Sequence, residues 1–192
     1  GEAGSDYITS YGYGGYPDDD IVAGDSAEFA LNGSADSFTY NTSTTDYGQA
    51  GDDTIDSGQG DDTVSGGSLS KGATANAYTE NDASGGGSAG NDSIAAGSGD
   101  NLVAGDATAI TSGGDADADV DNTASGAGSR AGDDTITAGD DNDTISGGAQ
   151  ALVQGAGTAT ATNTNTASPG ASAGNDDITA DGVNSGDDVV AG

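Results

Sequence analysis

Gly51-Asp52-Asp53-Thr54-Ile55-Asp56-Ser57-Gly58-Gln59-Gly60-Asp61-Asp62-Thr63-Val64-Ser65-Gly66-Gly67 is the stretch whose reading decides the fold. One phrase, Gly-Asp-Asp-Thr-(Ile/Val), starts at Gly51 and again at Gly60. Gly permits a tight or left-handed backbone, and Asp holds a turn while offering a carboxylate. Thr and the aliphatic residue then favour a short strand. Each phrase is therefore a turn followed by a strand.

The double phrase returns along the chain. It recurs as Gly90-Asn91-Asp92-Ser93-Ile94 with Gly99-Asp100-Asn101-Leu102-Val103. It recurs again as Gly132-Asp133-Asp134-Thr135-Ile136 with Asp141-Asn142-Asp143-Thr144-Ile145. Stretched copies stand at either side: Gly4-Ser5-Asp6-Tyr7-Ile8 with Pro17-Asp18-Asp19-Asp20-Ile21, and Gly174-Asn175-Asp176-Asp177-Ile178 with Gly186-Asp187-Asp188-Val189-Val190. The copies begin at Gly4, Gly51, Gly90, Gly132 and Gly174, a period of roughly forty residues that belongs to repeat architectures. No linker interrupts them, so residues 1–192 read as a single repeat domain.

Between the double phrases the sequence alternates with period two, the strand signature. Ala116, Ala118 and Val120 alternate with Asp115, Asp117, Asp119 and Asp121. Ala75 and Ala77, and Ala159 and Ala161, alternate with polar residues in the same way. Placing the Ala positions inward implies a thin interior in which opposite walls nearly touch. No helical apolar period appears. The expected fold is all-β, a parallel β-solenoid whose repeats share one core. Two ladders are expected to form its spine: Ile8-Ile55-Ile94-Ile136-Ile178 and Ile21-Val64-Val103-Ile145-Val190.

Composition narrows the function. Only 32% of the 192 residues are apolar and 5% aromatic, too little for an ordinary globular core. There are 33 acidic residues against Lys71 and Arg130, a net charge of -31. A compact chain so charged repels itself and needs counter-cations that its own side chains do not supply. The charge argues against nucleic acid and anionic membranes as partners. The absence of Cys and His excludes thiolate metal sites, disulfides and the usual imidazole chemistry. No apolar run reaches the ~20 residues of a membrane span, so no membrane insertion is expected. The chain starts at Gly1 without Met and reads as a processed protein or a fragment.

Ser57 to Ser65 fits the nonapeptide pattern Gly-Gly-x-Gly-x-Asp-x-apolar-x, with Ser57 in the first Gly place. The chain thus resembles the haemolysin-type (RTX) calcium-binding nonapeptide-repeat family over its double phrases, about half its length. The inserts between them depart from the pattern, so it is not an uninterrupted RTX array. The resemblance implies a β-roll-like solenoid stabilised by Ca²⁺, held between stacked turns by carbonyls and the sixth-position Asp. Carried over, that position is Asp53, Asp62, Asp92, Asp134, Asp143, Asp176 and Asp188, with Asn101 supplying an amide oxygen. Asp6 and Asp19 take the same place in units whose flanking residues depart from the pattern. Ca²⁺ wants six to eight oxygen ligands, more than one turn offers and about what two stacked turns can give. A single Gly-Asp-Asp would read as a polar turn with solvated Asp; its recurrence in register is what points to the ion.

Weaker signals remain. The Asp115–Asp121 row reads either as further cation ligands or as a solvated face. The Thr158–Thr164 row is similar to the Thr arrays of ice-binding solenoids, yet the matching positions in neighbouring repeats are Asp, or Thr, Asn, Tyr and Glu, so no two-dimensional Thr array forms. Tyr7, Tyr11, Tyr13 and Tyr16 read equally as a cap over the first rung and as a contact surface. Carboxylates are everywhere, so none stands out as an acid–base pair, and no enzyme is expected. The functional expectation is a secreted Ca²⁺-binding structural protein of a surface layer, extracellular matrix or head-to-tail filament. Its partners would be further copies of itself or other matrix and cell-surface components. The alternative is a spacer or ligand-binding segment of a large RTX adhesin or ice-binding protein.

Overall fold

A computed structural model describes residues 4–9, 19–30, 33–45, 47–180 and 189–192. Its strands are short at the Gly-Asp turns and long in the alternating segments, as residue type dictates. Every strand pair is parallel and joins one repeat to the next. The chain therefore winds as a succession of coils: four strands stack in each of three sheets, and a fifth coil adds a further strand to the other two.

The first sheet stacks Tyr7–Thr9, Thr54–Asp56, Ser93–Gly97, Thr135–Ala138 and Asp177–Ala180. The second stacks Ile21–Ala23, Thr63–Ser65, Leu102–Ala104, Thr144–Ser146 and Val189–Ala191. The third consists of Ser26–Phe29, Ser68–Gly72, Ala107–Thr111 and Ala149–Val153. The fourth and longest consists of Ser34–Ser43, Thr74–Ser84, Ala116–Ser125 and Ala159–Ala167. The fifth is a narrow ribbon of Gln49–Ala50, Ser88–Ala89, Arg130–Ala131 and Ser172–Ala173. The parallel β-solenoid expected from the repeats is the observed architecture.

The core divides by side-chain size. Between the first and second sheets lie aliphatic residues, with Ile55, Val64, Ile94, Val103, Ile136 and Ile145 buried. Between the third and fourth sheets the filling is mostly Ala: Ala75, Ala77, Ala107, Ala109, Ala116 and Ala118. Ala83, Ala89, Ala124 and Ala131 close the corner at the fifth sheet. The expected Ala-lined interior is found between the third and fourth sheets. Ala159 and Ala161 stand in register with Ala116 and Ala118 but are exposed, because their strand lies at the edge of its sheet.

The register confirms one ladder and corrects the other. Ile8, Ile55, Ile94, Ile136 and Ile178 pair coil to coil as expected. In the second sheet the partner of Val64 is Val22, not Ile21; Ile21 pairs with Thr63. Strand side chains alternate faces, so a slip of one residue exchanges inside for outside. Val22 is accordingly buried and Ile21 is 44% exposed.

This register has a measurable consequence. Ile94→Ala removes a buried side chain held between Ile55 and Ile136 and is expected to cost about 2–5 kcal/mol. Val22→Ala should cost clearly more than Ile21→Ala, which should stay near ~0.5 kcal/mol. Urea unfolding at saturating Ca²⁺ reads all three. Equal losses for Val22→Ala and Ile21→Ala would contradict the register.

Candidate metal centre

The turn from the fifth sheet into the first places one Asp per coil in an inner column: Asp6, Asp53, Asp92, Asp134 and Asp176. Parallel stacking points each turn's N–H along the solenoid axis toward the next coil. The Asp of that next coil receives it. The N–H of Asp6 donates to Oδ1 of Asp53 at 2.7 Å, and that of Asp53 to Oδ1 of Asp92 at 2.7 Å. The N–H of Asp92 donates to Oδ1 of Asp134 at 2.8 Å, and that of Asp134 to Oδ1 of Asp176 at 3.0 Å. Each carboxylate thus ties two coils together with one oxygen and turns the other inward.

That second oxygen meets a glycine. A Cβ on Gly105 would stand 1.9 Å from Oδ2 of Asp134 and 2.0 Å from the carbonyl oxygen of Gly147. A Cβ on Gly66 would meet Oδ2 of Asp92 at 2.0 Å and the Gly105 carbonyl at 1.9 Å. Only glycine fits, and its absence of a side chain lets a carboxylate oxygen and a backbone carbonyl converge on one spot. Oδ2 of Asp53 and of Asp134 is buried without a hydrogen-bond partner.

A third carboxylate enters the same space. Asp106 follows Gly105 at the start of the third sheet and is buried. Oxygens of Asp92, Asp106 and Asp134 all lie within 4.8 Å of one another. An asparagine ladder inside the fourth sheet orients Asp106. Nδ2 of Asn81 donates to its Oδ1 at 2.7 Å, and Nδ2 of Asn122 reaches its Oδ2 at 3.4 Å. The ladder itself runs Asn41 to Asn81 at 3.0 Å, Asn81 to Asn122 at 2.9 Å and Asn122 to Asn165 at 3.1 Å. The first glycine of each phrase makes room for it: Gly90 has φ +59°, and a Cβ there would stand 2.2 Å from Oδ1 of Asn81.

Three buried carboxylates at this distance repel one another, and both basic residues of the chain are exposed. Burial pushes the Asp106 carboxyl up to about 7, against the lowering effect of its asparagine donors. Burial holds Asp92 and Asp134 well above the usual carboxylate range, with the Asp106 charge adding to both. Burial also raises Asp53 to about 7. The cluster therefore takes up protons or a cation. Its donors are all hard oxygens, the set that Ca²⁺ selects. Ligands lie at roughly 2.3–2.6 Å from Ca²⁺, so opposite ones stand about 5 Å apart. The spacing of the three carboxylates fits within that span.

The other residues singled out in the sequence form a second column at the turn between the first and second sheets. The N–H of Asp62 donates to Oδ1 of Asn101 at 3.0 Å, and that of Asn101 to Oδ1 of Asp143 at 3.1 Å. The coil-one member is Asp20, whose N–H donates to Oδ1 of Asp62 at 2.9 Å, not Asp19. Asp19 lies in the outer row, accepting the N–H of Asp61 at 3.0 Å. This correction has the same one-residue origin as Ile21. Among the described residues the clustered carboxylates are Asp92, Asp106 and Asp134; Asp188 lies outside the described residues, as do Tyr11, Tyr13 and Tyr16. Asp106 and the Asn ladder were missed by the sequence reading. The ladder had a signal, Asn41, Asn81, Asn122 and Asn165 recurring at the repeat period; Asp106 had no local one.

Two outcomes are expected. In chelator, the folded state prefers these carboxyls protonated, whereas the unfolded chain ionises them near 4. Stability is then fully present below about pH 4 and is lost as pH climbs toward 7. Thermal unfolding in chelator should show Tm falling across that window, with a shallower slope for Asp106→Asn; a rising Tm would contradict the assignment. The second outcome concerns Ca²⁺. Asp134→Ala and Gly105→Ala should each raise the Ca²⁺ midpoint of folding at least tenfold, while Asp117→Ala, exposed on the fourth sheet, leaves it within a factor of two. Equal midpoints would separate the cluster from the ion.

A family profile for the RTX calcium-binding nonapeptide repeat matches the chain in four copies, within residues 47–68, 87–108 and 130–151. Each matched segment runs from the fifth sheet through both Gly-Asp turns to the start of the third. No curated protein and no solved structure matches the chain at a significant level. The chain is a carrier of haemolysin-type (RTX) repeats, and the ion that such repeats bind is Ca²⁺.

Proposed function

We propose that this chain is a secreted structural solenoid locked by Ca²⁺, built into a surface layer, an extracellular matrix or a head-to-tail filament. The observation that carries the reading is the buried Asp92–Asp106–Asp134 cluster. Ionised carboxylates are costly to bury unless paired, and a divalent cation is the partner that this composition leaves available. Asp92, Asp106 and Asp134 would hold it, and the Gly105 and Gly147 carbonyls converge on the same space. Asp53, Asp62, Asn101, Asp143 and Asp176 repeat the motif's oxygen in neighbouring turns. Ion binding is then folding energy, and the fold would form where Ca²⁺ is plentiful, as for extracellular modules. Among the described residues no helix is long and apolar enough to cross a membrane.

Assembly draws support from the fourth sheet. Ser34–Ser43 stands at one edge and Ala159–Ala167 at the other, both long and running in the same direction. An edge strand is a template for pairing. Stacking one copy's edge on the opposite edge of the next is a heterologous contact that does not close and builds a fibre. A second reading, a ligand-binding segment of a larger RTX adhesin, is favoured by the aromatic trio Phe38, Tyr40 and Tyr78. Their rings stand 5.7 and 6.5 Å apart on the outer face of that sheet.

Circular dichroism above pH 7, where the buried carboxyls are ionised, with chelator and with millimolar Ca²⁺ tests the lock: a largely disordered chain is expected in the first and a β-rich one in the second. Identical spectra would overturn it. Light scattering and electron microscopy on the Ca²⁺ sample test assembly. Thin unbranched fibres that dissolve in chelator support the filament, and a persistent monomer favours the adhesin segment.

A further inference from the structure

We propose that the interior of the solenoid holds a second cation between Asp25 and Asp53, and that interior cations recur once every two coils, not once per coil. This inference rests on the reading of Asp92, Asp106 and Asp134 as a cation centre.

The position after the interior glycine sets the period. It is Asp25 in the first coil, Gly67 in the second, Asp106 in the third and Gly148 in the fourth. The inner column supplies an Asp in every coil, so the carboxylate that completes a cluster is the one that alternates. Where it is absent no side chain fits: a Cβ on Gly67 would meet the Asp106 carbonyl oxygen at 2.6 Å and Oγ1 of Thr79 at 2.7 Å. A Cβ on Gly148 would stand 2.3 Å from Nδ2 of Asn163.

The first coil repeats the construction of the third. Nδ2 of Asn41 donates to Oδ2 of Asp25 at 3.0 Å, as Asn81 does to Asp106. A Cβ on Gly24 would meet Oδ2 of Asp53 at 2.1 Å and the Gly66 carbonyl at 1.9 Å, as on Gly105 with Asp134 and Gly147. The second, independent observation is Asp53 itself. It is 2% exposed, and its Oδ2 is buried without a partner, turned toward Gly24 and Asp25.

The outer row of the same turn follows the same two-coil rhythm in the opposite phase. It reads Ser5, Asp52, Asn91, Asp133 and Asn175, each accepting or passing an N–H from coil to coil. Coils with an inner Asp25 or Asp106 carry a neutral outer residue, and coils with an inner glycine carry an outer Asp. Negative charge per corner is thereby held level. Ions two coils apart stand roughly 10 Å from one another, and doubling the separation from one coil to two halves their repulsion.

The test counts Ca²⁺ ions bound to the full chain by native mass spectrometry after metal removal and reloading. Asp25→Ala and Asp106→Ala should each lose one ion, the double variant two, and Asp117→Ala none. Loss of an ion from Asp106→Ala with none from Asp25→Ala would overturn the second site and leave the first centre standing. No loss from Asp106→Ala would overturn the centre and this inference together. Should either variant fail to fold, crystals of the unaltered chain soaked in Tb³⁺ decide. Anomalous peaks are expected beside Asp25–Asp53 and beside Asp106, with none beside Gly67. A peak in every coil, or at Asp106 alone, would overturn the two-coil period.

Discussion

A carboxylate oxygen that accepts the N–H of the coil before it is the contact on which this solenoid depends. It fixes the turn, sets the register of the strand that follows, and leaves the other oxygen pointing inward. The hydrogen bond is charge-assisted and stronger than a neutral one. Yet it draws a column of like charges into a space with no basic side chain. Asp53, Asp92 and Asp134 are each almost fully buried. The coils stack through groups that repel one another, so the stack is stable only when something positive sits among them.

The rest of the interior is arranged around that column. Aliphatic side chains fill one side, between the first and second sheets. Methyl groups fill the other, between the third and fourth. Neither is rich enough to hold a chain of this charge by apolar burial alone. The Asn ladder stands between them and donates to Asp25 and Asp106 while each amide also serves the next. Glycine is used where these polar groups crowd: Gly51 and Gly132 against the ladder, Gly66 and Gly105 against the carboxylates. At these positions glycine is required by the close approach of polar groups.

Much of this was legible in the sequence. The Gly-Asp phrase places a β-branched residue two positions after its inner Asp, so Ile55, Ile94 and Ile136 fell into register by inspection. The coil-one turn was misread by one residue because Asp18-Asp19-Asp20 offers three equivalent acids and Ile21-Val22 two equivalent aliphatics. Only pairing with Thr63 and Val64 distinguishes them. Asp106 was illegible for another reason. Its burial follows from the third and fourth sheets folding back beneath the turn, a long-range contact with no local sequence mark. Its partners in the adjacent coils are Gly67 and Gly148, so neighbouring repeats show no recurring acid at this position. Alternation with a period of two coils hides from an alignment that assumes a period of one.

The central claim is that Asp92, Asp106 and Asp134 share one divalent cation. The most direct measurement is the carbon-13 spectrum of their side-chain carboxyls during a Ca²⁺ titration near pH 6. The account predicts that the three signals move together, at one Ca²⁺ concentration, from partly protonated to ion-bound positions, while the exposed Asp117 stays unchanged. Three signals that move independently, or that remain protonated at saturating Ca²⁺, would contradict it.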